Sequence, residues 1–413
     1  MRLWCEHAWL GGEEPETGVL IAIEGDRIGE VRAGVEPGDA ERVCGLTLPG
    51  LANAHSHAFQ RALRGRTQHA TGSFWTWREQ MYELARTMTP ETYLPLARAT
   101  FGEMALAGIT CVGEFDYLHH SEAIVTAAAE AGVRLTLLDA CYLDGGIEQF
   151  RDADAEAWAA RADELRDGDA LRAGAAIHSV RAVPPRAMEV VAAWASARGA
   201  PLHAHVSEQP AENEQCLAEH GRTPAQLLHD AGAISRRFTA VHATHVTAED
   251  TALLGAGRVC LCPTTERDLA DGIGPARALR DAGAGLALGS DSQALIDLFE
   301  EARAVELDER LATNVRGSHR AADLLGAATA GGYDSLGWPD GGCIAAGALA
   351  DLCVVGLDGV RLAGTRPVDA VAATVFAASA ADVRHVMAGG RWIVRDGAHV
   401  TLDVANELRE AIS

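Results

Sequence analysis

The stretch LTLPGLANAHSH (46–57) is an apolar, β-like run that ends on two histidines one residue apart. Its reading decides the fold, because the same construction returns along the chain. The runs ITCVGEF (109–115), RLTLLDACY (134–142), LRAGAAIH (171–178), PLHAHVS (201–207), FTAVHA (238–243), RVCLCPTT (258–265) and GLALGSD (285–291) are all strand-like. Between them lie Ala-rich segments of helical periodicity, such as HSEAIVTAAAEAG (120–132) and PPRAMEVVAAWASARG (184–199), which end in the glycine that stops helices. Eight β–α alternations predict an α/β fold of the (β/α)8 TIM-barrel type rather than an open sheet.

The two ends of the chain read differently. RLWCEHAWL (2–10) and GVLIAIEGDRIGEVRAG (18–34) are short strands and turns, as are GALADLCVVGL (347–357) and VRHVMAGGRWIVRDG (383–397). Neither end alone has enough apolar surface for a core. We therefore expect residues 1–49 and 346–413 to pack together as one small discontinuous β-sandwich, with 50–345 forming the barrel. The segment at about 58–90 is too long for a simple connection and predicts a lid-like insertion over the barrel mouth.

Composition narrows the function. The chain has 413 residues, 48% of them hydrophobic and 23% charged, an ordinary globular balance. Its formal charge of −23 repels phosphate backbones and anionic lipid surfaces, so neither nucleic acid nor membrane is an expected partner. All 35 basic residues are arginine, which removes Schiff-base chemistry and a Walker-type lysine. No C-x-x-C occurs among the nine cysteines, and the N-terminal MRLWCEHAWLGGEEPE turns acidic where an export signal stays apolar. A reduced, cytoplasmic protein is the expectation.

The polar residues gather at one end of the strand-like runs. His55 and His57 close the first, Tyr117 follows the second, His178 the fourth, His205 and Glu208 the fifth, His242 the sixth, Thr264 to Glu266 the seventh and Asp291 the eighth. In a barrel these ends meet on one rim, where catalysis belongs. On a strand, a His-x-His pair places both imidazoles on one face, as two ligands of one ion require. A third imidazole and a strand-terminal carboxylate at the same end point to a metal site. His120-Ser121-Glu122 matches half of the base-deaminase zinc signature, but no P-C-x-x-C accompanies it.

The motifs PGLANAHSH, HAHVSE, VHATH, GSDS and GALADLCVV resemble those of the amidohydrolase superfamily, in its metal-dependent aminohydrolase branch, and the likeness spans the whole chain. A longer set, HSHAFQRALRG, SFWTWREQMYE, GEFDYLHH, IHSVRAV and TTERDL, resembles the formimidoylglutamate deiminases within that branch. The resemblance implies His55, His57, His205 and Asp291 as metal ligands, and Glu208, His242 and Asp291 as the catalytic residues. It implies hydrolysis of a linear amidine, N-formimino-L-glutamate, in histidine degradation. Gln60, Arg78, Tyr117, His178 and Arg181 match its substrate-binding positions, so a small dicarboxylate is the expected partner and a homodimer the expected assembly. With no lysine to carbamylate as a bridge, one divalent ion per subunit is expected, Zn2+ by its donor set, with Fe2+ compatible.

Arg61, Arg64, Arg66 and Arg78 give the insertion the positive charge that a dicarboxylate needs. Trp75 and Trp77 are expected to pack the lid, and His203 to point into packing. His119, His120 and His245 are expected as supporting or surface groups. Thr264, Glu266 and Arg267 either line the substrate site or pair with one another. Two rivals stand beside the amidine reading: a deaminase of the same fold acting on a purine-type ring, and a non-catalytic scaffold.

Overall fold

The computed structural model describes residues 1–69 and 71–412; Ala70, in the insertion, and Ser413, at the chain end, lie outside the described residues. Eight parallel strands form one sheet in sequence order: β1 (Leu51–Ser56), β2 (Ile109–Asp116), β3 (Arg134–Cys141), β4 (Leu171–Ser179), β5 (Leu202–Val206), β6 (Phe238–His242), β7 (Arg258–Leu261) and β8 (Gly285–Leu288). Residues of β2, β3, β5 and β6 are buried throughout. This is why the runs read as continuous apolar stretches rather than alternating ones. A bridge between Ser56 and Asp291 joins the first strand to the chain just beyond the last, and the sheet is a TIM barrel.

The chain ends form a second, mixed sheet of eight strands, ordered 398–399, 391–395, 383–388, 352–355, 41–49, 2–8, 16–24 and 27–32. Leu3, Val19, Ile21, Val43, Leu352 and Val354 belong to a separate apolar core there.

Two expected strands are corrected. LTLPGLANAH is not one strand: Glu41–Pro49 belongs to the second sheet and Leu51–Ser56 to the barrel. The chain crosses between them at Gly50, where a Cβ would lie 2.0 Å from Thr110 Oγ1, so only glycine fits the crossing. RVCLCPTT stops being a strand at Leu261, because Pro263 opens the helix Pro263–Asp268.

The insertion contains a 3-10 turn (Ala58–Leu63) and a helix, α1 (Phe74–Ala85), and a second helix, α2 (Pro90–Leu106), follows it. Thr89 caps α2 by accepting from the Thr92 amide. No helix among the described residues is long and apolar enough to cross a membrane.

Candidate active site

Barrel closure builds the site. Beyond β8, the Asp291 amide donates to the His55 carbonyl (3.0 Å) and the His57 amide donates to the Asp291 carbonyl (3.1 Å). Backbone hydrogen bonds thus fix His55, His57 and Asp291 relative to one another. Asp291 at φ 44° and His242 at φ 69° are left-handed, a costly conformation for non-glycine residues. Glu114 of β2, fully buried, braces the histidine pair: it accepts from the Ser56 hydroxyl (2.6 Å), the Ala58 amide (2.6 Å) and the Tyr93 hydroxyl (3.0 Å).

His55, His57, His205 and Asp291 each bring one ligand atom into a group whose members lie within 4.8 Å of one another. Asp291 Oδ1 is 3.3 Å from His55 Nε2 and 3.4 Å from His57 Nε2. The Nε2 atoms of His55 and His205 are 3.1 Å apart. His205 Nδ1 faces the His178 carbonyl at 2.8 Å. A carbonyl only accepts, so that nitrogen carries the proton and Nε2 turns its lone pair into the cluster.

Burial lowers the proton affinity of all three imidazoles, His57 to about 3, with mutual repulsion adding to it for His57 and His205. Burial opposes ionisation of Asp291, yet the surrounding imidazoles outweigh it and hold its carboxyl below the usual range. Three neutral imidazoles and one carboxylate converging on a point are a donor set for one divalent ion.

His242 and Glu208 stand beside this cluster. His242 Nε2 lies 3.7 Å from Asp291 Oδ2 and 3.8 Å from Glu208 Oε1, while its Nδ1 lies 3.4 Å from Glu266 Oε1. Burial disfavours the imidazolium of His242, but Glu208, Glu266 and Asp291 together override it and raise its proton affinity. Burial pushes the Glu208 carboxyl up to about 7, against the charges of His242 and Arg181. The Glu208 amide donates to Glu212 (3.2 Å), and Arg181 reaches toward both carboxylates, at 3.5 and 3.8 Å.

A cavity of about 210 Å³ opens over these groups, and Gln60, Arg78, Tyr117, His178 and Arg181 all line it. The Gln60 amide donates to the Tyr117 hydroxyl at 3.0 Å. From α1, the Arg78 guanidinium sits 4.6 Å from the Trp75 ring centre and 5.3 Å from that of Tyr82. Its buried Nε has no hydrogen-bond partner among the described residues. Arg61 and Arg64 do not reach the cavity; both pair with Glu103 at 2.6 Å.

Some residues differ from expectation. Thr264, Glu266 and Arg267 do not pair with one another: Thr264 binds Glu301, Arg267 reaches Glu300 and Asp308 at the surface, and Glu266 supports His242. Trp75 lines the cavity as the platform for Arg78, a role beyond lid packing. His203 is buried in packing against the Ser335 carbonyl, as expected. Sequence reasoning missed Glu114, Glu212, Tyr82 and Tyr142. The Glu208–Glu212 spacing across the start of a helix was the one available signal, since the others become neighbours only through folding.

The model of the amidohydrolase family matches residues 46–393. The chain is 37% identical to formimidoylglutamate deiminase of Pseudomonas aeruginosa, over 92% of each chain. It is 33% identical to 5-methylthioadenosine/S-adenosylhomocysteine deaminase of Natronomonas pharaonis, over 96% of this chain and 91% of that one. It is 31% identical to 8-oxoguanine deaminase of Pseudomonas aeruginosa, over 94% and 92% respectively. Among solved structures, an amidohydrolase from Brucella melitensis superposes with TM-score 0.91 at 32% identity, covering 100% of this chain and 98% of that one. A zinc-bound adenosine deaminase from Xanthomonas campestris does so with TM-score 0.90 at 25% identity, covering 99% and 96%.

Proposed function

Because the chain belongs to the amidohydrolase family and is a hydrolytic deaminase within it, we propose that its substrate is N-formimino-L-glutamate, hydrolysed to N-formyl-L-glutamate and ammonia in histidine breakdown. The observation that carries this reading is Arg78. Its guanidinium lines the cavity over the Trp75 and Tyr82 rings, with Glu79 at 3.6 Å from one terminal nitrogen and Nε without a partner among the described residues, and such a cation on an aromatic floor suits a carboxylate. The 37% identity to a formimidoylglutamate deiminase supports it further.

In the proposed reaction water adds to the amidine carbon, the C–N bond to the terminal nitrogen breaks, and ammonia leaves. His55, His57, His205 and Asp291 would hold a divalent ion, Zn2+ by the donor set, and that ion would supply the Lewis acidity that lowers the pKa of a water toward neutrality. Asp291 Oδ2 faces His242 and accepts the proton of the attacking water. Glu208, titrating near 7, donates to the departing nitrogen. His242, protonated and oriented by Glu266, donates a hydrogen bond to the oxygen that gains charge. Arg78 and Arg181 take the glutamyl carboxylates; Gln60, Tyr117 and His178 orient the backbone between them.

A second reading has its own support. Phe74, Trp75, Tyr82, Tyr117, Tyr142 and Phe150 also line the cavity, and two relatives are named for ring substrates. Replacing Arg78 with Met separates the two readings. On the dicarboxylate reading, kcat/KM for N-formimino-L-glutamate falls about tenfold or more, the loss of one charge-assisted pair. Unchanged turnover with R78M would exclude that reading.

A further inference from the structure

A cavity of about 870 Å³, larger than the one at the rim, opens at the opposite mouth of the barrel, where β4 to β7 begin. Six arginines line it: Arg166, Arg172, Arg198, Arg236, Arg237 and Arg258. With the two aspartates also present, the lining carries a formal +4 on a chain whose total is −23. A concentration of one sign against such a background is the electrostatic signature of an anion site.

The carboxylates nearby leave most of that charge unmatched. Arg198 pairs with Asp163, and Arg258 with Asp334. Among the described residues the other four guanidiniums meet no carboxylate. Arg237 donates to the Gly199 carbonyl (2.7 Å), Arg172 to the Gly168 and Leu171 carbonyls (2.6 and 3.1 Å, both from Nη1), and Arg166 to the Asp163 and Leu165 carbonyls from Nη1 alone. Each guanidinium has five N–H donors, so several remain. The Arg172 guanidinium carbon lies over the Trp338 ring, 3.9 Å from its centre, a contact that restrains the side chain. The Arg236 guanidinium makes no hydrogen bond or ion pair among the described residues, while its backbone carbonyl accepts from the Arg258 guanidinium. Burial and then the nearby charges of Arg236 and Arg237 lower the proton affinity of Arg258, which shows how closely the cations crowd here.

We propose that this mouth binds a small multivalent oxyanion, a phosphate- or tricarboxylate-bearing molecule, at a site separate from the catalytic one. Arg172 and His178 lie on the same strand six residues apart. At about 3.3 Å per residue this separates the two sites by roughly 20 Å, so the anion does not compete with substrate.

Calorimetric titration of the metal-loaded protein at constant ionic strength tests this, with inorganic phosphate in one arm and tricarballylate in the other. The expected result is a saturable isotherm of one anion per chain in at least one arm, weakened about tenfold or more in R166Q/R236Q. Both residues are exposed, and an unchanged circular dichroism melt shows that the variant folds. Saturation by phosphate alone assigns a phosphoryl ligand, and saturation by tricarballylate alone a carboxylate ligand. No saturable heat in either arm, or equal affinity in wild type and R166Q/R236Q, overturns the proposal. A wild-type dimer that R166Q/R236Q disrupts, with no anion isotherm, also overturns it, by assigning the arginines to a second copy of the chain.

Discussion

Asp291 turns its two carboxylate oxygens to different partners. Oδ1 faces His55 and His57, and Oδ2 faces His242. In the proposed mechanism a residue in this position belongs at once to the ion-holding cluster and to the proton-moving groups, a double role that accords with the left-handed backbone it adopts. Glu208 is the complementary residue. To give a proton in the proposed reaction it must hold one, so kcat/KM is expected to fall as pH rises through its value of about 7. Arg181, 3.5 Å away, favours the ionised form and pulls that value down. In R181Q the falling limb of the kcat/KM profile is therefore expected to move to higher pH, along with a loss in kcat/KM from weaker substrate binding. A limb that stays in place would show that Glu208 is not the titrating donor.

At the scale of elements, the barrel and the mixed sheet are locked by one buried carboxylate. Asp351, in the GALADL segment, receives the Arg134 guanidinium of β3 at 2.7 and 3.3 Å, the Tyr333 hydroxyl at 2.7 Å and the Gly389 amide at 2.7 Å. Its side chain is fully buried. Removing it strands a buried guanidinium, so D351A is expected to lower the unfolding free energy by about 3–5 kcal/mol, measured by denaturant titration. A loss under 1 kcal/mol would mean the joint is held by apolar contact alone. The sequence made the barrel legible because strands buried on both faces are apolar runs, and because their rim ends carry the polar residues. It hid the Pro49–Gly50 crossing, since residues on both sides are equally apolar, and only the Thr110 side chain pressing on Gly50 distinguishes the two strands. Likewise the partner of His242 was invisible: Glu266 sits 24 positions away, on a helix whose first residues, Pro263 to Thr265, read as the end of a strand.

Across the whole molecule, charge is sorted by location. A chain of net −23 places Arg78 and Arg181 at the catalytic rim and six more arginines at the opposite mouth, while carboxylates elsewhere pair on the surface or support the site. The rim cavity is about 210 Å³, and on the proposed reading it takes a short flexible substrate held at both ends. Absence of lysine leaves no residue to carbamylate as a bridge between two ions, so one ion per chain is expected by elemental analysis. Both expectations meet in one assay. Ammonia release is measured with N-formimino-L-glutamate, 8-oxoguanine and S-adenosylhomocysteine, before and after chelation and again after adding back one equivalent of Zn2+. Release from the formimino compound alone, abolished by the chelator and restored by the single equivalent, is the predicted result. Release from a ring substrate in its place, or turnover that survives complete removal of metal, would contradict the account.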